Sequence, residues 1–175
     1  PKKKEILVDL GGGYGKLAYY VLKKRNIVFI DFDIPETLVL AAYYLSKCFP
    51  EKKNFFYGES IFSSQSVYKF DMFFLPSWEI EKLEENQIQF TINKNSLGEM
   101  KPESAKNYLN HIFRISKYFF SMNHETFRNK FDDGTFSLIN KEFHANGKFK
   151  QLIRYPDLSH LTYENNKLNL ESDIF

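Results

Sequence analysis

Runs of consecutive apolar residues alternate with stretches of helical periodicity along the first part of the chain. Ile6 to Leu10 is continuous and rich in branched residues, as in a strand buried on both faces. From about Tyr14 to Lys24, Leu17, Tyr20 and Val21 share one side and Lys16, Lys23 and Lys24 the other, which predicts a helix. Asn26 breaks that pattern, and Ile27 to Ile30 predicts a second strand running into Asp31-Phe32-Asp33-Ile34. Pro35 suits the first position of the next helix and Glu36 its positive end, while Leu38, Ala41, Ala42 and Leu45 form its packed face. Two strand–helix units in succession predict a right-handed parallel crossover.

Beyond Pro50 the pattern is less regular. Asn54 to Tyr57 reads as a short strand, Gly58 to Ser66 as loop, Phe70 to Leu75 as a third core strand and Glu79 to Glu85 as a short charged helix. Gln87 to Asn93 alternates as a fourth strand, and Asn95 to Met100 is a loop at its carboxyl end. Pro102 opens a helix to about Ser116, with Ala105, Tyr108, Leu109, Ile112 and Phe113 on its apolar face and Asn107, His111 and Arg114 on a solvent-facing side. Lys117 to Met122 is a fifth strand, followed by Asn123-His124-Glu125. After the Asp132-Asp133-Gly134 turn, the segments Thr135 to Ile139, Phe149 to Arg154 and His160 to Tyr163 are candidate strands. His144 and His160 fall where no element is assigned. The order predicts one α/β Rossmann-like domain, with a mostly parallel central sheet and helices on both faces. Antiparallel C-terminal strands from about residue 132 complete the sheet and add substrate-facing loops.

Composition narrows the partners. At 175 residues the chain is long enough for one substantial core, and its formal charge of +2 implies no strong field toward polyanions. With no dense Lys/Arg stripe, nucleic acid is not an expected partner. The 19 Phe and 11 Tyr point first to packing rather than to base or sugar stacking. Cys48 is the single cysteine, so no intrachain disulfide forms, which fits a reducing compartment. No apolar run reaches the roughly 18 to 20 residues of a membrane span, and no basic-then-apolar leader opens the sequence. The expectation is a cytoplasmic domain of unspecified oligomeric state. Because the sequence starts at Pro1 and not at methionine, a trimmed end or a longer parent protein is allowed for.

The candidate chemistry begins in Asp9-Leu10-Gly11-Gly12-Gly13-Tyr14-Gly15. A phosphate-cradling Gly-x-x-x-x-Gly-Lys-Ser/Thr loop is excluded, since Leu occupies both position 10 and position 17 around Gly15-Lys16. The dinucleotide pattern Gly-x-Gly-x-x-Gly/Ala is met in relaxed form by Gly13 to Ala18, but a count started at Gly11, directly after the strand, places Lys16 at the third position. An acid is also expected about 20 residues on, at the end of the second strand, where its two oxygens can accept both ribose hydroxyls. Asp31 and Asp33 are both candidates, and Asp33 is preferred because it directly precedes the helix start.

The Asp-x-Gly-x-Gly-x-Gly pattern of residues 9–15 resembles motif I of the class I S-adenosylmethionine-dependent methyltransferases. Further stretches occur in order: Val28 to Leu45, with Ile30-Asp31-Phe32-Asp33-Ile34-Pro35-Glu36-Thr37-Leu38 and Tyr43-Tyr44-Leu45, then Leu75-Pro76-Ser77-Trp78, Ile92-Asn93 with Asn95 to Met100, Tyr108, and Tyr118 to Asn123. Together they resemble the sugar O-methyltransferase family of bacterial surface-polysaccharide and lipopolysaccharide gene clusters, over roughly Ile6 to His124. The resemblance implies S-adenosyl-L-methionine as cofactor and a small-molecule or glycan acceptor. It implies that Gly11, Gly13 and Gly15, with Gly12 and Tyr14 between them, approach the methionine moiety and that Asp9 fixes that end. Asp33, with Asp31 as the alternative, would hold the ribose. Ile34 would pack on the adenine, Pro76 to Trp78 would close its far side, and Asn93 would line the site. Gln87 departs from the pattern, because an acid commonly opens the fourth strand there.

Methyl transfer to a hydroxyl is helped by a general base, which must stand at a carboxyl end of a strand in an open α/β sheet. Glu99, after the fourth strand, and His124, after the fifth, are the candidates, against loop or capping roles for each. No His-Glu-x-x-His or cysteine cluster signals a metal. Two rival readings stay open: an NAD-dependent oxidoreductase, and a non-catalytic binding module that keeps the fold.

Overall fold

The continuous apolar runs all become strands of one sheet. The computed structural model describes residues 4–143, 147–156, 163–164 and 167–168. In it β1 (Ile6–Leu10), β2 (Val28–Asp33), β3 (Asn54–Phe56), β4 (Met72–Pro76), β5 (Ile88–Lys94) and β6 (Ser116–Met122) lie in the order β3-β4-β2-β1-β5-β6. The sheet is parallel. Its α-helices are α1 (Lys16–Lys24), α2 (Pro35–Cys48) and α3 (Pro102–Ile115). None of these is long and apolar enough to cross a membrane. The chain divides into two compact units, Pro1–Asn93 with Arg114–Phe120, and Lys94–Phe113 with Ser121–Phe175.

In the first unit, α1 and α2 cover one face of the sheet. Ala18 and Leu22 of α1 and Leu38, Ala41 and Leu45 of α2 pack with Ile27, Phe29, Met72 and Phe74 in one buried cluster. Residues of opposite parity on β3 and β4 turn to the other face. There Phe55 and Phe73 stack at 5.3 Å, with Phe62 and Phe70 set edge-on within 5.9 Å. Much of the phenylalanine excess is therefore spent in the interior. Because β1 pairs with β2 on one side and with β5 on the other, the strand order reverses at β1, and ligands of open α/β sheets bind at such a point, outside the carboxyl ends.

Several expectations from the sequence change. β2 begins at Val28, one residue later than the run Ile27 to Ile30, and carries Asp31 and Asp33 at its carboxyl end. Glu79 to Glu85 is not a helix; a 3-10 turn runs from Ser77 to Lys82, directly after Pro76, and ends before a second hydrogen-bonded α turn could form. A second 3-10 turn, Ser64–Lys69, takes the end of the supposed loop. The His111 side is not a free polar face: His111 is half-buried, and the Arg114 guanidinium donates to the carbonyls of Glu81 and Leu83. The largest difference is C-terminal. Thr135 to Ile139 yields one bridge, Lys130 with Phe136, and Phe149 to Arg154 no strand. The described strands beyond Met122, Tyr163–Glu164 and Lys167–Leu168, pair antiparallel with each other and take no place in the six-stranded sheet. Short stretches of mixed apolar and polar residues imitate strand periodicity there, but they do not pair with the sheet. His144 and residues 157–162, including most of the His160 segment, lie outside the described residues.

Gly15 caps α1 at φ +88, a conformation that costs a side-chain-bearing residue free energy, and a Cβ there would stand 2.8 Å from Leu45 Cδ1. Gly15→Ala is expected to cost about 1–3 kcal/mol. Pairing it with Leu45→Ala should relieve the steric share, so urea unfolding of the double variant should show a smaller loss than the two single losses added together.

Candidate functional site

Strand register assembles the site. Asp9 pairs with Asp31 across β1 and β2, Asp33 with Pro76 across β2 and β4, and Leu10 with Asn93 across β1 and β5. These residues therefore meet along one carboxyl edge of the sheet. Asn93, fully buried, donates its side-chain N–H to the Leu10 carbonyl at 2.8 Å, which fixes the backbone where the glycines begin.

From Leu10 the backbone turns through three left-handed residues, Gly11 at φ +79, Gly13 at +62 and Gly15 at +88. The Gly11 N–H donates to the Phe32 carbonyl at 2.8 Å, and the Gly13 N–H to Asp33 Oδ2 at 2.9 Å. Asp33 Oδ1 accepts the N–H of Ile34 at 2.7 Å. Asp33 thus ties the loop to the start of α2 while each oxygen keeps a lone pair for a ligand. Gly12 lies directly over Asp31, and a Cβ on it would stand 2.6 Å from Asp31 Oδ1. Nothing lies within 4 Å of where a Cβ on Gly13 would be, so that point of the loop faces open space. Tyr14 and Ile34 are both exposed, the Tyr14 ring edge-on to Tyr44 at 6.4 Å.

The electrostatics are unusual. Asp31 is fully buried and neither of its carboxylate oxygens has a hydrogen-bond partner. Burial foremost, then Asp9 and Asp33, push its pKa well above the usual carboxylate range, and the nearby Gly12 backbone N–H acts in the opposite sense. Asp9 is pushed up to about 7, by burial first and by Asp33 second. Among the described residues no Lys or Arg pairs with any of the three. Asp33 keeps acceptor lone pairs open for hydroxyl donors, and a ligand that brings positive charge beside Asp9 and Asp31 would favour their ionised forms.

The two general-base candidates lie in the second unit. Glu99 ends a short 3-10 turn (Leu97–Glu99) and is exposed, while His124 is half-buried with its ring 5.1 Å from Phe127. Their segments are joined: the Gly98 N–H donates to Asn123 Oδ1 at 3.2 Å, Asn95 N–H to the Met122 carbonyl at 2.8 Å, and Asn129 to the Gly98 carbonyl at 3.0 Å. Glu99 and His124 each follow one partner of the Gly98–Asn123 bond. Asn123, fully buried, was placed at the end of the fifth strand by the sequence, but its bond to Gly98 was not. The buried Glu125 next to it is held by Arg154 at 3.0 Å and Lys141 at 3.4 Å. Among the described residues no group of three or more His, Cys, Asp and Glu is placed to hold a metal.

No family model and no curated protein matches the sequence. Solved structures do. The chain is 15% identical to the mitomycin 7-O-methyltransferase MmcR over 75% of this chain and 34% of that one, with a TM-score of 0.50. It is 16% identical to the [4+2]-cyclase SpnF over 80% of this chain and 47% of that one, with a TM-score of 0.51. The chain thus spans about a third to a half of the length of these two proteins. The likeness establishes a methyltransferase-type fold.

The Asp9 carboxyl has a stability consequence. Folded, it titrates near 7, and its ordinary value is 3.8, so between these pH values the folded chain binds more protons than the unfolded one. Stability therefore falls as pH rises from about 4 to about 7, by a few kcal/mol at most, a tenfold change in acidity being about 1.4 kcal/mol. Asp9→Asn should be more stable than the unaltered protein at about pH 8, with the gap closing near pH 4. Urea titrations across this range check it, and an unchanged gap would refute the role given to Asp9.

Proposed function

We propose that the protein binds S-adenosyl-L-methionine over Gly11 to Gly15 and transfers its methyl group to a hydroxyl, on a sugar destined for a bacterial surface polysaccharide. The observation that carries the cofactor is the cluster of Asp9, Asp31 and Asp33 beneath the glycine loop, two of them buried and none paired with a Lys or Arg among the described residues. Asp33 offers acceptor oxygens to ribose hydroxyls, and a cationic ligand beside Asp9 would favour the ionised form of that carboxyl. The sugar acceptor rests on the sequence resemblance alone.

In this reading Asp33 accepts the ribose hydroxyls with the lone pairs left by its two backbone bonds, and Asp31 is the alternative acceptor. Asp9 and the backbone of Gly11, Gly12, Gly13, Tyr14 and Gly15 hold the methionine end. Ile34 packs on one side of the adenine and Pro76 on the other, while Asn93 lines the floor. When bound, the cofactor supplies a methyl group already activated by its sulfonium. The chain's own task is then alignment of the acceptor oxygen and removal of its proton, by Glu99 or His124. The same fold in the [4+2]-cyclase SpnF gives a second reading, in which the site binds its cofactor or an organic substrate without methyl transfer.

Calorimetric titration with S-adenosylhomocysteine should show binding, with none for NAD, and Asp33→Ala should weaken it at least about tenfold, 1.4 kcal/mol. Binding of NAD alone would overturn the proposal. For the base, methyl transfer to a sugar acceptor should drop by about 10²- to 10⁴-fold in Glu99→Gln or in His124→Gln, with cofactor affinity retained. If neither substitution slows transfer, both assignments fail.

A further inference from the structure

Helix α2 is apolar on both sides. Its inner face buries Leu38, Ala41 and Leu45, yet its outer face leaves Val39 68%, Leu40 61% and Tyr43 69% exposed. A surface helix ordinarily turns charged residues outward, and a contiguous exposed apolar patch marks an interaction site. Tyr44 widens the patch, with its ring 6.0 Å from Tyr19 and 6.4 Å from Tyr14.

The outer residues Glu36, Leu40, Tyr43 and Lys47 recur at intervals of four, three and four, the spacing with which one helix packs along another. The stripe is acidic at its start and basic at its end. Among the described residues Glu36 makes no ion pair, and the Lys47 ammonium stands over the Tyr43 ring at 5.9 Å. Reversal of the helix about the point between Ala41 and Ala42 exchanges position 36 with 47, 39 with 44 and 40 with 43. The face is thus complementary to itself in charge and in apolar surface, which is what a two-fold interface requires.

We propose that the protein self-associates through this face, two copies of α2 packing antiparallel about a two-fold axis. Leu40 and Val39 of each copy lie against Tyr43 and Tyr44 of the other, and Glu36 of each meets Lys47 of the other at the two ends. A parallel arrangement would set Glu36 on Glu36 and Lys47 on Lys47, and like charges exclude it.

Sedimentation velocity over a range of concentrations tests this, with circular dichroism to confirm that each variant is folded. The unaltered protein should show a concentration-dependent dimer. Leu40→Lys, at an exposed position, should weaken it about a hundredfold, and Glu36→Lys or Lys47→Glu alone about tenfold. An equimolar mixture of the two charge variants should dimerise again, because one stripe then carries bases at both ends and the other acids. A monomer at every concentration would overturn the proposal. So would a dimer indifferent to Leu40→Lys, or a mixture no tighter than either charge variant alone.

Discussion

Two parallel strands in register set Asp9 and Asp31 side by side, and a third acid stands two residues further along the same strand. Burying carboxylates together costs free energy, since desolvation and mutual repulsion both favour the protonated forms. The neighbouring structure keeps that cost in place. Asn93 anchors the backbone before the loop, Asp33 anchors it after the turn, and Gly12 lies on Asp31 without a side chain that would push it aside. A ligand that brings positive charge or hydroxyl donors to this edge would offset part of that cost.

The same edge of the sheet explains how position and chemistry divide. Strand order and register bring Asp9, Asp31, Asp33, Pro76 and Asn93 together irrespective of what binds there. The left-handed glycines then decide how closely a ligand approaches the backbone. The fold is therefore shared with proteins of different chemistry, among them a methyltransferase and a cyclase.

The core of the fold was legible because strands buried on both faces leave apolar runs, as at Ile6 to Val8 and Met72 to Leu75. The acids of β2 were placed at the end of the strand, but their burial was not legible there, because Asp31 is covered by Gly12 of the loop above it. The turn at Ser77–Lys82 was misread because six residues after a proline carry too little periodicity to separate a 3-10 turn from a helix. Strand pairing at the C-terminal end was overestimated because alternation describes one strand, whereas a sheet needs a partner with free backbone groups. At the site, the glycine and acid positions were visible as a motif. The Gly98–Asn123 link was not, because one hydrogen bond between distant loops leaves no local pattern.

The contact between Gly12 and Asp31 reaches further than the loop itself. The space that a methyl group on residue 12 would need is the space that the residue 31 carboxylate fills, so these two positions are sterically a single unit despite their separation in the chain. A side chain at 12 therefore has to displace the residue 31 carboxylate, so a change at one position is felt at the other.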